Sequence, residues 1–299
     1  MITVMKAPPF ATIQDLGRPG FRDVGVPISG LADRETGITV NSLLGNDPNA
    51  AMIEWAVAGG TLRFDRAGTV AIGGAEAACS VNGVAVDSLT PFEVSAGDEI
   101  VVSRIVSGRF LLIAVRGGID VPVVLGSRST LVSAAFGGFE GRRLKTGDRL
   151  PVGNLTLSHP ARSGAMRETR YHGRRPEQHQ RDVVQDVCMI DVMRGPQSSL
   201  FNDAAWSDFL GAELMVSRAS DRSGYRLEGV TMTHVGSAAL PSEPTCVGAI
   251  QVPAGGAPIV IMHDGPTVGG YPKIAVIRSS CMSRFAQLAP GARVRFALG

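Results

Sequence analysis

Long apolar runs are missing from this 299-residue sequence, in which no stretch reaches the ~18 residues that a membrane-spanning helix needs. The first ten residues, MITVMKAPPF, contain no apolar segment of the kind that marks a secretory signal. Cysteine is scarce, and its positions show neither a C-x-x-C pair nor metal-site spacing. They are Cys79, Cys188, Cys246 and Cys281. We therefore expect a cytoplasmic protein without a membrane span or a disulfide framework.

Several motifs of nucleotide, metal and hydrolase sites are also missing. The sequence contains no G-x-x-x-x-G-K-[ST], no G-x-G-x-x-G, no H-E-x-x-H and no G-x-S-x-G. Its histidines show neither ligand nor triad spacing. They are His159, His172, His179, His234 and His263. Phosphate or metal chemistry would need an atypical site, and a serine hydrolase is disfavoured.

Neither sign of charge dominates, because 29 basic residues face 27 acidic ones and leave a formal net charge of +2. No overall field then draws the chain to nucleic acid or to a membrane surface, and we expect a small-molecule substrate. Lysine is rare: only Lys6, Lys145 and Lys273 contribute to the 29 basic residues.

Short apolar runs separated by glycine and proline fill the sequence, as expected for many short strands joined by turns. Residues 110–115, 259–262 and 274–277 predict strands buried on both faces. Val294, Phe296 and Leu298 alternate with arginines, which is typical of a half-exposed strand. Three helices are predicted, over 33–44 with Asp33 as cap, over 199–210, and after Ser283 as far as Pro290.

The segment 161–182 is polar, rich in arginine and nearly free of core residues, so it predicts a surface connector between two domains. The expected domains are 1–160 and 183–299. The pattern as a whole predicts a mainly β protein with few short helices.

Polar clusters beside glycine turns stand out along nearly the whole chain. They are 14–20 (QDLGRPG), 25–30 (GVPISG), 126–130 (GSRST), 194–197 (RGPQ), 220–229 (SDRSGYRLEG), 242–244 (SEP), 248–253 (GAIQVP) and 269–275 (GGYPKIA). In this order they resemble the family shared by the C subunit of 5-oxoprolinase, allophanate hydrolase subunit 2 and the carboxyltransferase region of urea amidolyase. The resemblance implies two cyclophilin-like β-barrel domains.

The resemblance also implies a function and partners. It points to one subunit of an ATP-dependent 5-oxoprolinase, which opens 5-oxo-L-proline to L-glutamate, working with a homologue of the B subunit and with a separate A subunit. ATP and Mg²⁺ are the implied cofactors. Two alternatives remain open: a biotin-dependent carboxyltransferase or allophanate hydrolase-type subunit that acts on urea-like amides, and a non-catalytic regulatory binding subunit. Met5 and Lys6 resemble a biotin acceptor, but only five residues precede the lysine, so we expect no biotin on this chain.

Opening or carboxylating an amide needs cations against developing oxyanion charge and carboxylates for proton transfer or Mg²⁺. The clusters supply both kinds of group. The predicted catalytic residues are Lys273, Tyr271, Asp264 and Glu243, and the predicted substrate-binding residues are Asn41, Arg128, Asp221, Arg222, Arg226, Gln251 and Arg18. No metal ligands are predicted.

Each candidate also has a structural interpretation. Aspartates beside glycine commonly fasten turns, and the 221–226 cluster suits a buried ion-pair network equally well. Asn41 can pin a helix and Arg128 can cap a turn. Lys273 follows a glycine pair and Pro272 directly before a strand, which places an ammonium on a rigid element; its alternative is a lysine that extends its head into water.

Overall fold

Short strands make up most of the regular structure in residues 1–154, 187–237 and 239–299, which are the residues that the computed structural model describes. Most of these strands belong either to an N-terminal sheet or to a C-terminal barrel. The predicted connector, 161–182, lies outside the described residues, and the domain boundaries stay predictions.

The N-terminal sheet contains nine antiparallel strands. They are β1 (Ile2–Lys6), β2 (Phe10–Gln14), β3 (Met52–Ala56), β4 (Ala58–Phe64), β5 (Gly68–Val81), β6 (Val84–Ala85), β7 (Phe92–Val94), β8 (Glu99–Val115) and β9 (Arg149–Leu150). Their order is β2-β3-β8-β4-β1-β9, and β5 pairs with β8 while also carrying β6 and β7. The sheet curls as a half-barrel.

Strand β8 shows why a continuous apolar run is used here. Leu111 and Ile113 pack into the core of the sheet, whereas Leu112 and Ala114 point to the opposite face. Helix α1 (Arg34–Leu43) covers that second face with Val40. Both faces are therefore buried, as predicted for 110–115.

The C-terminal strands form a closed barrel in the order β10-β17-β14-β15-β12-β11-β18. They are β10 (Cys188–Arg194), β11 (Leu214–Val216), β12 (Gly224–Glu228), β14 (Ala249–Gln251), β15 (Ile259–Ile261), β17 (Lys273–Ile277) and β18 (Arg293–Leu298). A separate two-stranded ribbon pairs β13 (Glu243–Pro244) with β16 (Val268–Gly269). Parallel pairing of β10 with β18 closes the barrel. Stacked Phe209 and Phe296 rings, 5.0 Å apart, fill its interior.

The described residues contain three α-helices, as predicted, with two corrected starts. Asp33 caps α1 by accepting from the Thr36 N–H at 3.1 Å. Helix α2 (Asp203–Gly211) begins after its cap Asn202, later than residue 199, because 198–200 form a 3₁₀ turn. Helix α3 (Ser279–Ala286) begins before Ser283 and has no side-chain cap.

In β18, Leu298 is 46% exposed because it ends the strand, unlike the buried Val294 and Phe296.

Gln287, just after α3, fastens the barrel to the N-terminal sheet. Its Oε1 accepts from the N–H groups of Arg109 at 2.9 Å and Phe110 at 3.0 Å. Its Nε2 donates to the Asp33 carboxylate at 2.8 Å and to the Phe110 carbonyl at 2.9 Å. Phe110 also packs into the core of the barrel. The fold is mainly β with short helices, as predicted, and polar side chains of both halves meet where the two halves join.

Candidate functional site

Arg222 stands at the junction of barrel and sheet, on the turn before β12. Its guanidinium donates to Asp264 at 2.8 and 3.2 Å and to the Gly30 carbonyl at 2.6 Å. It also forms an ion pair with Glu54, a buried residue of β3. Burial alone lowers the pKa of Arg222, but attraction to Asp264 and Glu54 outweighs burial and holds the group charged.

Glu54 is the only charged residue in the buried strand β3, and the fold accommodates it with two donors. One carboxylate oxygen pairs with Arg222, and the other accepts from the Ala32 N–H at 2.8 Å. Burial raises the pKa of Glu54, and the charge of Arg222 opposes that rise. Residues that are far apart in the sequence are thereby joined into one polar cluster.

Asp15, directly after β2, organises the neighbouring loops. Its carboxylate accepts from the Gly17 N–H at 2.8 Å and from the Ser127 and Ser129 hydroxyls, both at 2.6 Å. The Arg128 N–H donates to the second oxygen at 2.5 Å. Asp15 therefore uses its oxygens to fix 127–129, which is the structural role that an aspartate beside glycine indicates.

Arg18, Ser29 and His263 lie deeper in the same junction. Arg18 is fully buried, stacks over the Phe136 ring at 4.9 Å and donates to the Ser129 carbonyl. Burial lowers the pKa of Arg18, against the attraction of Asp15 and Asp264. Burial, helped by the charges of Arg222 and Arg34, lowers the pKa of His263 to about 3 and keeps its imidazole neutral at pH 7.

A second cluster surrounds Lys273 on β17. Its ammonium is buried and pairs with Glu243 of the β13–β16 ribbon. Gln197 donates to the same Glu243 oxygen at 2.6 Å and accepts from the Lys273 N–H at 3.2 Å. The hydrogen bond from Lys273 lowers the pKa of Glu243. The lysine head is therefore held by protein groups and does not extend into water.

Gln251 stands beside Lys273, since the two residues are opposite each other in the β14–β17 ladder. The buried Gln251 Nε2 has no hydrogen-bond partner within the described part of the chain. A Cβ at Gly269 would lie 2.7 Å from that nitrogen, so the glycine leaves the room that the amide occupies. An ammonium and a free amide donor are thus neighbours at one end of the barrel.

The structure brings together two groups of the predicted site residues. Arg222 joins Asp264, and Lys273 joins Glu243 and Gln251. Arg18 stands near Asp264, as their electrostatic interaction shows. The roles assigned to these residues remain predictions.

The other predicted site residues lie elsewhere or are engaged in local structure. Tyr271 is 45% exposed, and Arg226 projects from an exposed position of β12. Asp221 accepts from the N–H groups of Ser223 at 2.7 Å and Gly224 at 3.2 Å, which makes a turn.

Asn41 and Arg128 have their side chains committed to nearby loops. The Asn41 amide donates to the carbonyls of Pro48 at 3.2 Å and Ala50 at 2.9 Å. Arg128 donates to the Val121 carbonyl at 2.9 Å and pairs with Asp120 at 3.0 Å. These contacts match the structural interpretation of each residue, and their substrate-binding roles stay predictions.

Sequence reasoning did not select Ser29, Glu54, Gln197 or His263. Glu54 carried a signal, because it is a lone acid within the apolar run 52–56. His263 was set aside for lack of ligand spacing, although a histidine directly after a buried strand is also placed on a rigid element. Ser29 and Gln197 carried no signal beyond their neighbouring glycines.

Mg²⁺, one of the cofactors that the resemblance implies, is usually held in proteins by oxygen ligands such as carboxylates. Across the described ranges, no group of three or more His, Cys, Asp or Glu side chains could hold a metal ion. The buried carboxylates of Asp15 and Glu54 are already satisfied by N–H and O–H donors. These residues alone do not fit a Mg²⁺ site. No helix among the described residues has the length and apolar character of a membrane span.

Known proteins of one family share this architecture. The model of the carboxyltransferase domain, subdomains A and B, matches residues 24–298. The C subunit of 5-oxoprolinase from Escherichia coli (strain K12) is 34% identical over 296 residues, covering 99% of this chain and 90% of that protein. The corresponding protein of Haemophilus influenzae is 32% identical over 299 residues, again covering 99% of this chain and 90% of that protein.

Much larger enzymes contain a region of the same kind. Urea amidolyase of Lachancea kluyveri is 32% identical over 301 residues, covering 96% of this chain but 16% of that protein. The crystal structure of K. lactis urea amidolyase superposes with a TM-score of 0.88 at 28% identity, covering 99% of this chain and 18% of that chain. This chain therefore spans less than a fifth of the length of the urea amidolyases that it resembles. From the matched residues and the shared architecture, the chain belongs to the carboxyltransferase domain family, subdomains A and B.

Proposed function

We propose that this chain is the C subunit of a cytoplasmic ATP-dependent 5-oxoprolinase, in which it works with homologues of the B and A subunits to open 5-oxo-L-proline to L-glutamate. One observation carries the proposal. The chain matches 90% of the length of the C subunit of 5-oxoprolinase, with 34% identity, whereas it matches 16% of a urea amidolyase. Similarity across a whole subunit favours the same role in an assembly more than similarity to one region of a larger enzyme.

The Lys273 cluster offers chemistry that suits this reaction. Opening a lactam places negative charge on the carbonyl oxygen, and donors that are already in position lower the barrier for that step. An ammonium carries three N–H donors, and Lys273 uses one of them to contact Glu243. The Gln251 Nε2 adds an uncommitted amide donor on the neighbouring strand. We assign these two groups to the carbonyl oxygen.

Glu243 and Gln197 then serve as positioning residues. Glu243 keeps Lys273 oriented, while Gln197 contacts both the carboxylate and the Lys273 backbone. Glu243 lies in the two-stranded ribbon, and its side chain is 39% exposed to solvent. A partner protein can therefore reach the cluster and supply the nucleotide.

Carboxyl transfer to a urea-like amide is the second candidate function. The family match and the similarity to urea amidolyase favour it. The same two donors would polarise the carbonyl oxygen of urea, since amide and lactam carbonyls make the same demand. We expect biotin on a separate carrier in that case, not on this chain.

The deciding experiment is co-expression of this chain with homologues of the B and A subunits, followed by assays of ATP hydrolysis with 5-oxo-L-proline, urea and related amides. We expect turnover that depends on 5-oxo-L-proline, and little or none from the isolated chain. Urea-dependent turnover that requires a biotinyl carrier would establish the second function instead. Full 5-oxoprolinase activity of the chain alone would refute its assignment as one subunit of a larger enzyme.

A further inference from the structure

We propose that Arg18, Ser29 and His263 form a binding site for the carboxylate group of a small ligand, at the junction of the N-terminal sheet and the barrel. None of these three residues belongs to the Lys273 cluster. It rests on the proposed function only for the choice of 5-oxo-L-proline as the first ligand to test.

Unused polar atoms in buried positions carry the proposal. Arg18 and Ser29 are 0% exposed and His263 is 4% exposed. Four of their atoms find no hydrogen-bond partner in the part of the chain that the structure describes: Arg18 Nε and Nη1, Ser29 Oγ and His263 Nδ1. An unpaired buried polar group is destabilising, and more so when it is charged. Several such groups together indicate that a ligand satisfies them.

Backbone contacts bring the three residues together. The Arg18 N–H donates to the Ile28 carbonyl at 2.8 Å, next to Ser29, and the Ser29 N–H donates to the His263 carbonyl at 2.9 Å. Ser29 holds a left-handed backbone, with φ of 52°, that a serine rarely adopts. Such a conformation persists where the surroundings enforce it, as at ligand-binding positions.

The charge of the site favours an anion. The nearby carboxylates are committed to other donors: Asp15 to the 127–129 loop, and Glu54 and Asp264 to Arg222. The Arg18 guanidinium therefore has a carbonyl and a ring as direct partners, but no direct carboxylate partner among the described residues. A buried guanidinium is stabilised by a planar oxyanion, whose two oxygens match its N–H donors.

The other two groups fit the same ligand. A hydroxyl can donate to a carboxylate oxygen, and the imidazole of His263, neutral at pH 7, carries one N–H whose position depends on the tautomer. Two ligand classes share this planar carboxylate chemistry: the carboxylate of a substrate such as 5-oxo-L-proline, and bicarbonate. Their separate titrations distinguish the two sources.

The first test is calorimetric titration of the full chain with 5-oxo-L-proline, with 2-pyrrolidinone, which is the same ring without a carboxylate, and with bicarbonate. We expect 5-oxo-L-proline to bind at least about tenfold more tightly than 2-pyrrolidinone, the scale of a lost charge-assisted contact. Binding of bicarbonate alone would support the carboxylate site but weaken the 5-oxoprolinase proposal. Equal affinities for 5-oxo-L-proline and 2-pyrrolidinone, with no bicarbonate binding, would overturn the site.

Ser29→Ala separates ligand binding from stability. The variant removes a buried hydroxyl that has no partner among the described residues, so the thermal midpoint of the unliganded chain should stay the same or rise. Affinity for the carboxylate ligand should fall about tenfold. A structural hydroxyl would give the opposite pattern, with lower stability and unchanged affinity, and that result would overturn the proposal.

Arg18→Lys tests the cation, and Arg109→Lys is its matched control. Like Arg18, Arg109 donates to a backbone carbonyl, that of Ser220, and stacks over a ring, that of Tyr225. We expect Arg18→Lys to weaken carboxylate binding at least about tenfold, while Arg109→Lys leaves it unchanged. Equal affinities of the two variants for the carboxylate ligand would overturn the site.

In the reconstituted complex, Ser29→Ala should raise KM and leave kcat unchanged. A complex without any lactam turnover refutes the proposed function, while the binding result still decides the carboxylate site.

Discussion

Arg222 of the barrel and Glu54 of the N-terminal sheet form a buried ion pair across 168 residues of sequence. Asp264 pairs with the other edge of the same guanidinium. A buried charge is tolerated only when it is paired and hydrogen-bonded, so each of these three residues depends on the others. The network therefore links the relative placement of sheet and barrel to the identity of three side chains.

Replacing Arg222 with Met should lower the free energy of unfolding by about 3–5 kcal/mol, because Glu54 and Asp264 would keep buried charges without their cation. Chemical denaturation followed by circular dichroism measures the change. The double variant Glu54→Gln/Arg222→Met should recover part of the loss, since it leaves one uncompensated carboxylate instead of two. A single variant within about 0.5 kcal/mol of the wild type, the scale of an ordinary surface substitution, would contradict this prediction.

Gln287→Ala should lower the free energy of unfolding by about 2–4 kcal/mol, because it removes four hydrogen bonds that join the barrel to strand β8 and to the helix cap Asp33. Gln287→Glu should be destabilising as well. It keeps one acceptor, but places a carboxylate oxygen against the Asp33 carboxylate and the Phe110 carbonyl. Urea denaturation at pH 7 measures the free energy of unfolding of both variants. If Gln287→Glu is as stable as the wild type, the Nε2 contacts contribute nothing to stability.

His263 predicts a specific loss of stability in acid. Its pKa in the folded protein is about 3, below the ordinary value of 6.5, so the unfolded chain binds a proton that the folded chain excludes. The folded protein keeps its full unfolding free energy above pH 6.5, where His263 is neutral in both states. It loses unfolding free energy as the pH falls from 6.5 toward 3, because only the unfolded chain takes up the proton. In that window the loss amounts to about 1.4 kcal/mol of unfolding free energy per pH unit.

The measurement is the unfolding free energy from about pH 7, just above that window, down to about pH 4.5, inside it, for the wild type, His263→Gln and His234→Gln. The charges of Arg222 and Arg34 act at this position in the first two proteins alike, so the difference between their slopes isolates the histidine. His263→Gln should flatten the pH dependence, and His234→Gln, which removes a partly exposed histidine, should keep it. Parallel curves for the wild type and His263→Gln would contradict the prediction.

Local structure was largely predictable from the sequence, because local signals determine it. Asp33 predicted the start of helix α1, and the apolar run 110–115 predicted a strand buried on both faces. The start of α3 was missed for a physical reason. Its cap position, Arg278, makes no side-chain capping bond, while the Ser283 hydroxyl accepts from the Glu35 N–H of α1 at 3.2 Å. Ser283, after which the helix was expected to begin, lies inside α3 and contacts α1.

The sequence suggested individual residues for the candidate site, but not their arrangement. Lys273, Glu243 and Arg222 were selected because their charges stand beside glycine turns. Their partners depend on tertiary structure: Glu54 reaches Arg222 from another sheet, and Gln197 reaches Glu243 across 46 residues. Ser29 became a candidate only once its hydroxyl was seen to be buried and unpaired among the described residues.

Lys273→Arg should reduce turnover of the reconstituted complex about 100-fold, the scale of a lost transition-state donor. The compact ammonium is 3% exposed, pairs with Glu243 and stands beside Gln251. A planar guanidinium keeps the charge but displaces the donor from the carbonyl oxygen. The loss should appear in kcat, while thermal stability and binding of the partner subunits stay close to wild type.

Two further variants give the Lys273 prediction its controls. Lys145→Arg makes the same chemical change at an exposed lysine and should leave turnover unchanged. Glu243→Gln keeps a hydrogen-bonding side chain but removes the negative charge that orients the ammonium, so turnover should fall by less than in Lys273→Arg. If Lys273→Arg and Lys145→Arg are equally active in steady-state assays with 5-oxo-L-proline, Lys273 is a structural residue of the barrel end, and the donors for the carbonyl oxygen must come from another subunit.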